Sequence, residues 1–216
     1  SGILFKRDKE IHKKQMQKKQ FVPIDLVIVN FYPFESLIKK NSNKEIIVEN
    51  IDIGGPSMVR AAAKNFKSVT IITDKKDYYE LVKELKSFQG KTTFDFRKRM
   101  ASKAYNLTAY YDAIISEWFN KDMGLEFPER KTFFGKKISQ LRYGENPHQR
   151  SSIYISSLKK NELDLQQLSG KNLSYNNYND VFAGLDILIS NLDFPSTVII
   201  KHANPCGISS NKSALE

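Results

Sequence analysis

The sequence predicts an α/β fold, an open parallel sheet covered by helices, repeated as two successive α/β units. Three observations carry that reading. Two nearly continuous apolar runs of strand length, "IDLVIVN" at residues 24–30 and "SVTIIT" at 68–73, have the composition of strands buried on both faces. Segments with apolar residues near i, i+3 and i+4 alternate with them, and that order defines an α/β architecture. At residues 121–131, "KDMGLEFPERK" combines Gly, Pro and charge as a linker does, and the texture changes beyond it. The first unit is therefore assigned to residues 1–131, linker included, and the second to residues 132–216.

Each element follows from its residues. Residues 6–19, "KRDKEIHKKQMQKK", read as a basic, weakly amphipathic, exposed helix. The run at 24–30 leads into "NFYPFE", where Pro33 stops it. "NKEIIVENIDIGG" reads as a short helix closed by Gly54 and Gly55, and "PSMVRAAAKNF" as a helix with Pro56 at its first position. After the second apolar run, Asp74 is placed to cap "KKDYYELVKELKSF". From residue 93 to about 120 a long helical pattern carries Phe96, Met100, Leu107, Tyr111, Ile114, Ile115 and Trp118. In the second unit, "KISQLRYGENPHQRSSIYIS" reads as a loop and a strand, and "NDVFAGLDILISNL" as an amphipathic helix. "STVIIKHANPCG" reads as a strand running into a turn. There are no internal repeats and no low-complexity tracts.

Composition narrows the functional classes. The 40% apolar and 12% aromatic content excludes wholesale disorder. With 34 Lys and Arg against 24 Asp and Glu, the net charge of +10 points to anionic partners, such as phosphorylated metabolites, nucleic acid or acidic membrane surface. Solvated lysines alone would give the same balance. One cysteine, Cys206, excludes an internal disulfide framework and any multi-cysteine zinc site, and a reducing cytoplasm fits. No run approaches the roughly 18 to 20 apolar residues of a membrane span, and "SGILFKRDKE" lacks the core of a signal peptide. "SGILF" reads like the inside of a fold, as in a fragment. The basic stretch at 6–19 also allows a nucleic-acid-binding module, which steep salt dependence of oligonucleotide binding would reveal.

Four stretches carry the chemistry. Asn30 and Tyr32 follow a buried strand, where α/β sheets hold their ligands; a Tyr packed under a turn is the plainer reading. In "IDIGGPSMVRAAAKNF", Gly54 and Gly55 lead into a helix whose first N–H groups lack partners, a natural anion site. Asp52 sits just upstream. Arg60 and Lys64 share one helix face at i, i+4, which costs up to about 0.5 kcal/mol unless an anion or carboxylate lies between them. Only tertiary folding could bring Lys64 to Asp52. "LRYGENPHQ" offers Arg142 to grip phosphate or carboxylate and Tyr143 to stack on a flat heterocycle. "GKNLSYNNYND" reads as an amide-rich loop suited to polar ring edges, or as ordinary turn chemistry. Finally, Lys201 and His202 place a cation beside a group that titrates near neutrality, an acid–base pair. His202 and Cys206 lack a second ligand pair for a metal.

Taken in order and at these spacings, "IVNFYPF", "ENIDIGGPSMVRAAAKN", "LRYGENPHQ", "GKNLSYNN" and "IIKHANPCG" closely resemble the bifunctional purine-biosynthesis family. That family joins 5-aminoimidazole-4-carboxamide ribonucleotide (AICAR) formyltransferase to IMP cyclohydrolase. The resemblance runs from Ser1 to Gly207. It implies a methylglyoxal-synthase-like domain at 1–131 that lacks its first strands and a further catalytic lysine. It implies the start of a cytidine-deaminase-like transformylase domain at 132–216. It also implies cyclohydrolase roles for Tyr32, Asp52 and Lys64, with Asn30, Gly54 and Gly55 lining the nucleotide. Lys201 and His202 would be the transformylase pair, and Arg142, Tyr143 and Asn177 would line the AICAR site, the first two across a dimer. Expected ligands are AICAR, formyl-AICAR and IMP, with 10-formyltetrahydrofolate as co-substrate. No redox cofactor, catalytic metal, nucleic acid or membrane is expected, and the location is cytoplasmic.

Overall fold

Leu26–Ile28 (β1) and Thr70–Ile72 (β2) pair in parallel, Val27 opposite Ile71, and form the floor of the first unit. The structure, a computed structural model, describes residues 1–40, 42–156, 167–190 and 193–213. Contacts divide the chain into a first unit at Ser1–Phe134 and a second that begins at Gly135. In the first, Glu10–Lys18 (α1) precedes β1, followed by Phe34–Lys39 (α2), Lys44–Glu49 (α3) and Gly54–Lys64 (α4). After β2, a 3-10 turn at Lys75–Asp77 opens Tyr78–Ser87 (α5), and Phe94–Asp122 (α6) ends the regular structure.

Helices α4 and α6 cover the strand pair because their small residues permit close approach. Val59, Ala62 and Ala63 of α4 and Phe96, Met100, Ala101 and Ala104 of α6 cluster with Val27, Val69, Ile71 and Ile72. At the other end of α6, Tyr111 and Ile114 close on Phe34 and Ile47. There the Phe34 ring meets Tyr111 edge-on at 5.9 Å and Trp118 at 6.3 Å. Asp74 accepts from the Lys76 N–H, as its capping position predicts.

In the second unit, Lys136–Gln140 (β3) pairs antiparallel with Ser152–Ile155 (β4). Tyr175–Ile189 (α7) packs on Ser196–Lys201 (β5), which forms a hairpin with Asn204–Ser210 (β6). Gly184 of α7 is buried against β5, and a Cβ there would come within 3.3 Å of Ile200. Pro205 cannot donate to a ladder, and β6 accommodates it beside a register shift between Ile199 and Ile200.

The chain is thus mixed α/β with a small parallel sheet, and several local expectations need correction. Pro33 does not simply stop β1 but stands as N-cap of the unforeseen helix α2, which buries Phe34. The helix α3 ends at Glu49 with Asn50 as its cap, so Gly54 and Gly55 open α4 instead of closing α3. Pro56 is accordingly its third residue, where the missing N–H is still among those without an intrahelical acceptor. "SYNNYND" is helical from Tyr175 onward rather than a loop, because Ser174 and Asn177 form a reciprocal capping box. The residues expected to close that helix, Asn191 and Leu192, lie outside the described residues. The second unit carries antiparallel hairpins, with β3 and β6 unforeseen.

Candidate functional site

In the first unit the polar cluster is built around Asp52, at the entrance to α4. Ile53 stands at the N-cap of α4 and has no side chain to satisfy the first turn. Asp52 supplies it: the Gly55 N–H donates to Asp52 Oδ1 at 2.7 Å. The other carboxylate oxygen accepts from the Tyr32 N–H at 3.4 Å. The Asp52 N–H itself donates to the Tyr111 hydroxyl at 2.8 Å. The carboxylate therefore ties the segment after β1 to the start of α4, and α6 holds its backbone. Burial pushes the Tyr111 phenol above its ordinary range, with the Asp52 backbone hydrogen bond opposing.

The glycines have distinct roles. A Cβ on Gly55 would stand 2.5 Å from Asp52 Oδ2, so only glycine admits the carboxylate here. A Cβ on Gly54 would meet nothing within 4 Å. Asn30 and Tyr32 lie just past β1, both exposed. Lys64 is the last residue of α4, roughly 15 Å along the axis from Gly54 at 1.5 Å per residue. The fold brings Asp52, Gly55 and Tyr32 together and leaves Lys64 at the far end of the helix. The Arg60 guanidinium sits 5.6 Å from the centre of the Tyr105 ring, a cation–π partner that its sequence spacing does not reveal.

In the second unit the first two turns of α7, with Leu173 just before its cap, hold two segments in place. The Arg142 N–H donates to the Leu173 carbonyl at 3.1 Å, and the Tyr175 N–H to the Tyr143 carbonyl at 3.1 Å. The Asn176 side chain adds a bond to the Glu145 carbonyl at 3.1 Å. Arg142 lies 4.8 Å from the centre of the Tyr143 ring and donates to its hydroxyl at 3.1 Å. Asn177 Oδ1 is occupied by the Ser174 N–H and hydroxyl at 3.0 and 2.9 Å, so the acceptor end of the amide is taken up by the helix cap. The backbone at Arg142 and Tyr143 is thus held against the segment that opens α7, the helix on which Asn177 sits.

The second segment is the Lys201–His202 turn. Lys201 ends β5 and pairs with Asn204, so His202 and Ala203 alone make the turn. Their φ values are 53° and 57°. Two-residue hairpins of this hand favour Asn and Gly, and an ordinary L-residue in that region costs roughly 1–2 kcal/mol. The turn is held by the Ala203 N–H, which donates to Asp180 Oδ1 at 2.8 Å, and by Asn204 Nδ2, which donates to the His202 carbonyl at 2.8 Å. Asp180 lies one helical turn beyond Asn177, so α7 anchors both segments. Sequence reasoning gave no role to Asp180 or Tyr111. The pattern D-x₂₁-H-A, a carboxylate before two non-glycine residues at a tight turn, was the only local signal for the first. Among the described residues no group of three His, Cys, Asp or Glu could hold a metal ion, and no helix is long and apolar enough to cross a membrane.

Two α/β units, each gathering polar residues at the start of a helix, define a protein with one candidate site per unit. The model of the AICARFT/IMPCHase bienzyme family matches residues 62–216, and the chain belongs to that family. Three relatives share the description bifunctional purine biosynthesis protein PurH. The one from Bradyrhizobium diazoefficiens is 46% identical over 96% of this chain and 40% of its own length. That from Rhodospirillum rubrum is 44% identical over 100% of this chain and 41% of its own. That from Persephonella marina is 44% identical over 96% and 41%. The chain therefore spans about 40% of the length of these curated relatives. A solved structure described as the crystal structure of ForH aligns over 55% of this chain and 61% of that chain, at 32% identity and a TM-score of 0.46.

Proposed function

We propose that the protein carrying this chain performs the last two steps of purine biosynthesis. These are formyl transfer from 10-formyltetrahydrofolate to AICAR, then dehydrative closure of formyl-AICAR to IMP. The observation that supports this most is the 44–46% identity to proteins described as bifunctional purine biosynthesis protein PurH, along at least 96% of this chain. On this reading residues 1–131 belong to a methylglyoxal-synthase-like cyclohydrolase domain and residues 132–216 to a cytidine-deaminase-like transformylase domain. The protein is a cytoplasmic homodimer, with Arg142 and Tyr143 donated across its interface.

In the first step the AICAR amine attacks the formyl carbon and His202 takes the amine proton. Lys201 stabilises the oxyanion or protonates the leaving nitrogen of tetrahydrofolate. Arg142, Tyr143 and Asn177 bind the nucleotide. In the second step the carboxamide nitrogen attacks the new formyl carbonyl. Asp52 receives the amide proton while Tyr32 polarises and protonates oxygen, Lys64 joining it by reaching back along α4 toward the substrate, and water leaves. Asn30, Gly54 and Gly55 line the nucleotide. Neither step changes an oxidation state, so the chemistry calls for no redox cofactor, and the acid–base groups named supply what a metal would otherwise do.

The two sites are separable by experiment. His202→Ala should abolish tetrahydrofolate release from AICAR and 10-formyltetrahydrofolate, yet leave ring closure of supplied formyl-AICAR, followed by ultraviolet absorbance. Asp52→Asn and Lys64→Ala should do the reverse. Ring closure unaffected by Lys64→Ala would remove that residue from the mechanism, and absence of both activities from the unsubstituted protein would overturn the reading.

A further inference from the structure

We propose that Asp180 is a positioning residue for the Lys201–His202 pair, holding the strained turn on which the pair sits through its bond to the Ala203 N–H. The inference deepens the transformylase reading above and rests on it for its catalytic consequence. Its structural part stands on the turn itself. His202 and Ala203 both occupy the left-handed region, at φ of 53° and 57°, without glycine or asparagine to make it easy. Strain of this kind persists only where the surroundings over-determine the backbone, and it concentrates at functional sites. The hairpin partner strand fixes the flanking residues Lys201 and Asn204, and the Asn204 side chain takes the His202 carbonyl. What remains is the Ala203 N–H, which points away from the hairpin and would be left half-buried without a partner.

Asp180 meets it at 2.8 Å from a different element, the second turn of α7. A charged acceptor makes this the strongest bond available to a backbone N–H. The helix that carries it also carries the capping box at Ser174 and Asn177 and the bonds to Tyr143 and Glu145. Asp180 thereby fixes the direction of the His202 side chain relative to α7, the helix that also carries Asn177. Without the carboxylate, the turn relaxes toward negative φ at both positions, and the imidazole leaves its place although every side chain that touches substrate is still present.

The test uses Asp180→Ala, Asp180→Asn and the double variant Asp180→Ala/Ala203→Gly in the protein that carries this chain. Two readouts are taken: formyl-transfer kinetics and hydrogen exchange at residue 203, by ¹⁵N NMR. Asp180→Ala should lower kcat by about 10- to 100-fold, as a misplacement of about 1 Å does, with KM for AICAR little changed, and should deprotect the Ala203 amide. Asp180→Asn keeps an acceptor oxygen and should retain most of the rate. Glycine at 203 removes the strain at one of the two left-handed positions, so the double variant should recover part of the lost kcat. Wild-type kinetics in Asp180→Ala would overturn the assignment. So would failure of Ala203→Gly to rescue, which would make Asp180 a support of α7 alone. If the unsubstituted protein transfers no formyl group, the functional reading falls by itself. Exchange at residue 203 then decides: lost protection in Asp180→Ala upholds the hold on the turn, and unchanged protection overturns it.

Discussion

At the scale of single residues, the first-unit cluster turns on one missing methyl group. Asp52 bridges the Gly55 and Tyr32 N–H groups only because residue 55 leaves its carboxylate room. Gly55→Ala must push a Cβ against Asp52 Oδ2, and the carboxylate has to rotate away and release the first turn of α4. The expected cost is on the order of 1–3 kcal/mol in urea denaturation. Gly54→Ala meets nothing within 4 Å at a helical position and should be neutral or stabilising by about 0.5–1 kcal/mol. Equal effects from the two would disprove the contact. From the sequence, a Gly-Gly pair beside an Asp is legible as a special junction, but not which glycine is needed. That depends on a separation of a few ångströms between a carboxylate and a backbone position. Tyr111 illustrates a harder limit: 59 residues separate it from Asp52, and its spacing marks it only as a core residue of α6.

At the scale of elements, long periodic patterns were legible and short ones were not. The 29-residue α6 was expected within two residues of its observed ends, because its apolar stripe repeats over many turns. The six-residue α2 has too few turns to show a period, and it is fixed instead by the burial of Phe34 against Tyr111 and Trp118. The strands β3 and β6 escaped because polar and exposed strands lack the apolar run that marked β1 and β2; β3 reads KKISQ with only Ser139 even partly buried. Where a helix starts is a matter of capping, which makes a prediction for α6. Thr93 Oγ1 accepts from the Phe96 N–H at 3.2 Å and donates to Glu84 Oε2 at 2.9 Å, while the Thr93 N–H donates to that same oxygen at 2.8 Å. Thr93→Ala removes the cap and one of the two bonds that join Thr93 to Glu84 of α5, and should cost about 1–2 kcal/mol. Thr93→Ser keeps the hydroxyl and should stay within about 0.5 kcal/mol of the parent, measured by urea denaturation. A Ser variant as unstable as Ala would assign the effect to the lost methyl group instead.

At the scale of the whole molecule, the net charge of +10 and the tyrosines of α6 pull stability in opposite directions at alkaline pH. Burial, with the Glu35 charge and hydrogen bond adding to it, pushes the Tyr110 phenol up to about 12. Tyr111 is raised as well, chiefly by burial. An unfolded tyrosine titrates near its ordinary value of about 10. Below that pH both states hold the proton and these residues contribute their full stability. Above it the unfolded chain releases protons that the folded chain keeps, so the unfolding free energy falls as pH rises from about 10 to about 12. Lysines lose charge over the same range, which relieves repulsion and acts with the opposite sign, so the wild-type curve alone cannot isolate the tyrosines. Tyr110→Phe can, because every lysine is common to both proteins. The variant loses the 3.3 Å bond from the Tyr110 hydroxyl to Glu35 Oε2 and should be the less stable at pH 8.5. Lacking the phenol, it should then lose less than the parent between pH 10 and 12, so that the two urea midpoints converge. Midpoints that run parallel across that interval would show that Tyr110 ionises as readily in the fold as in the unfolded chain, and would remove the burial and Glu35 contact as the cause.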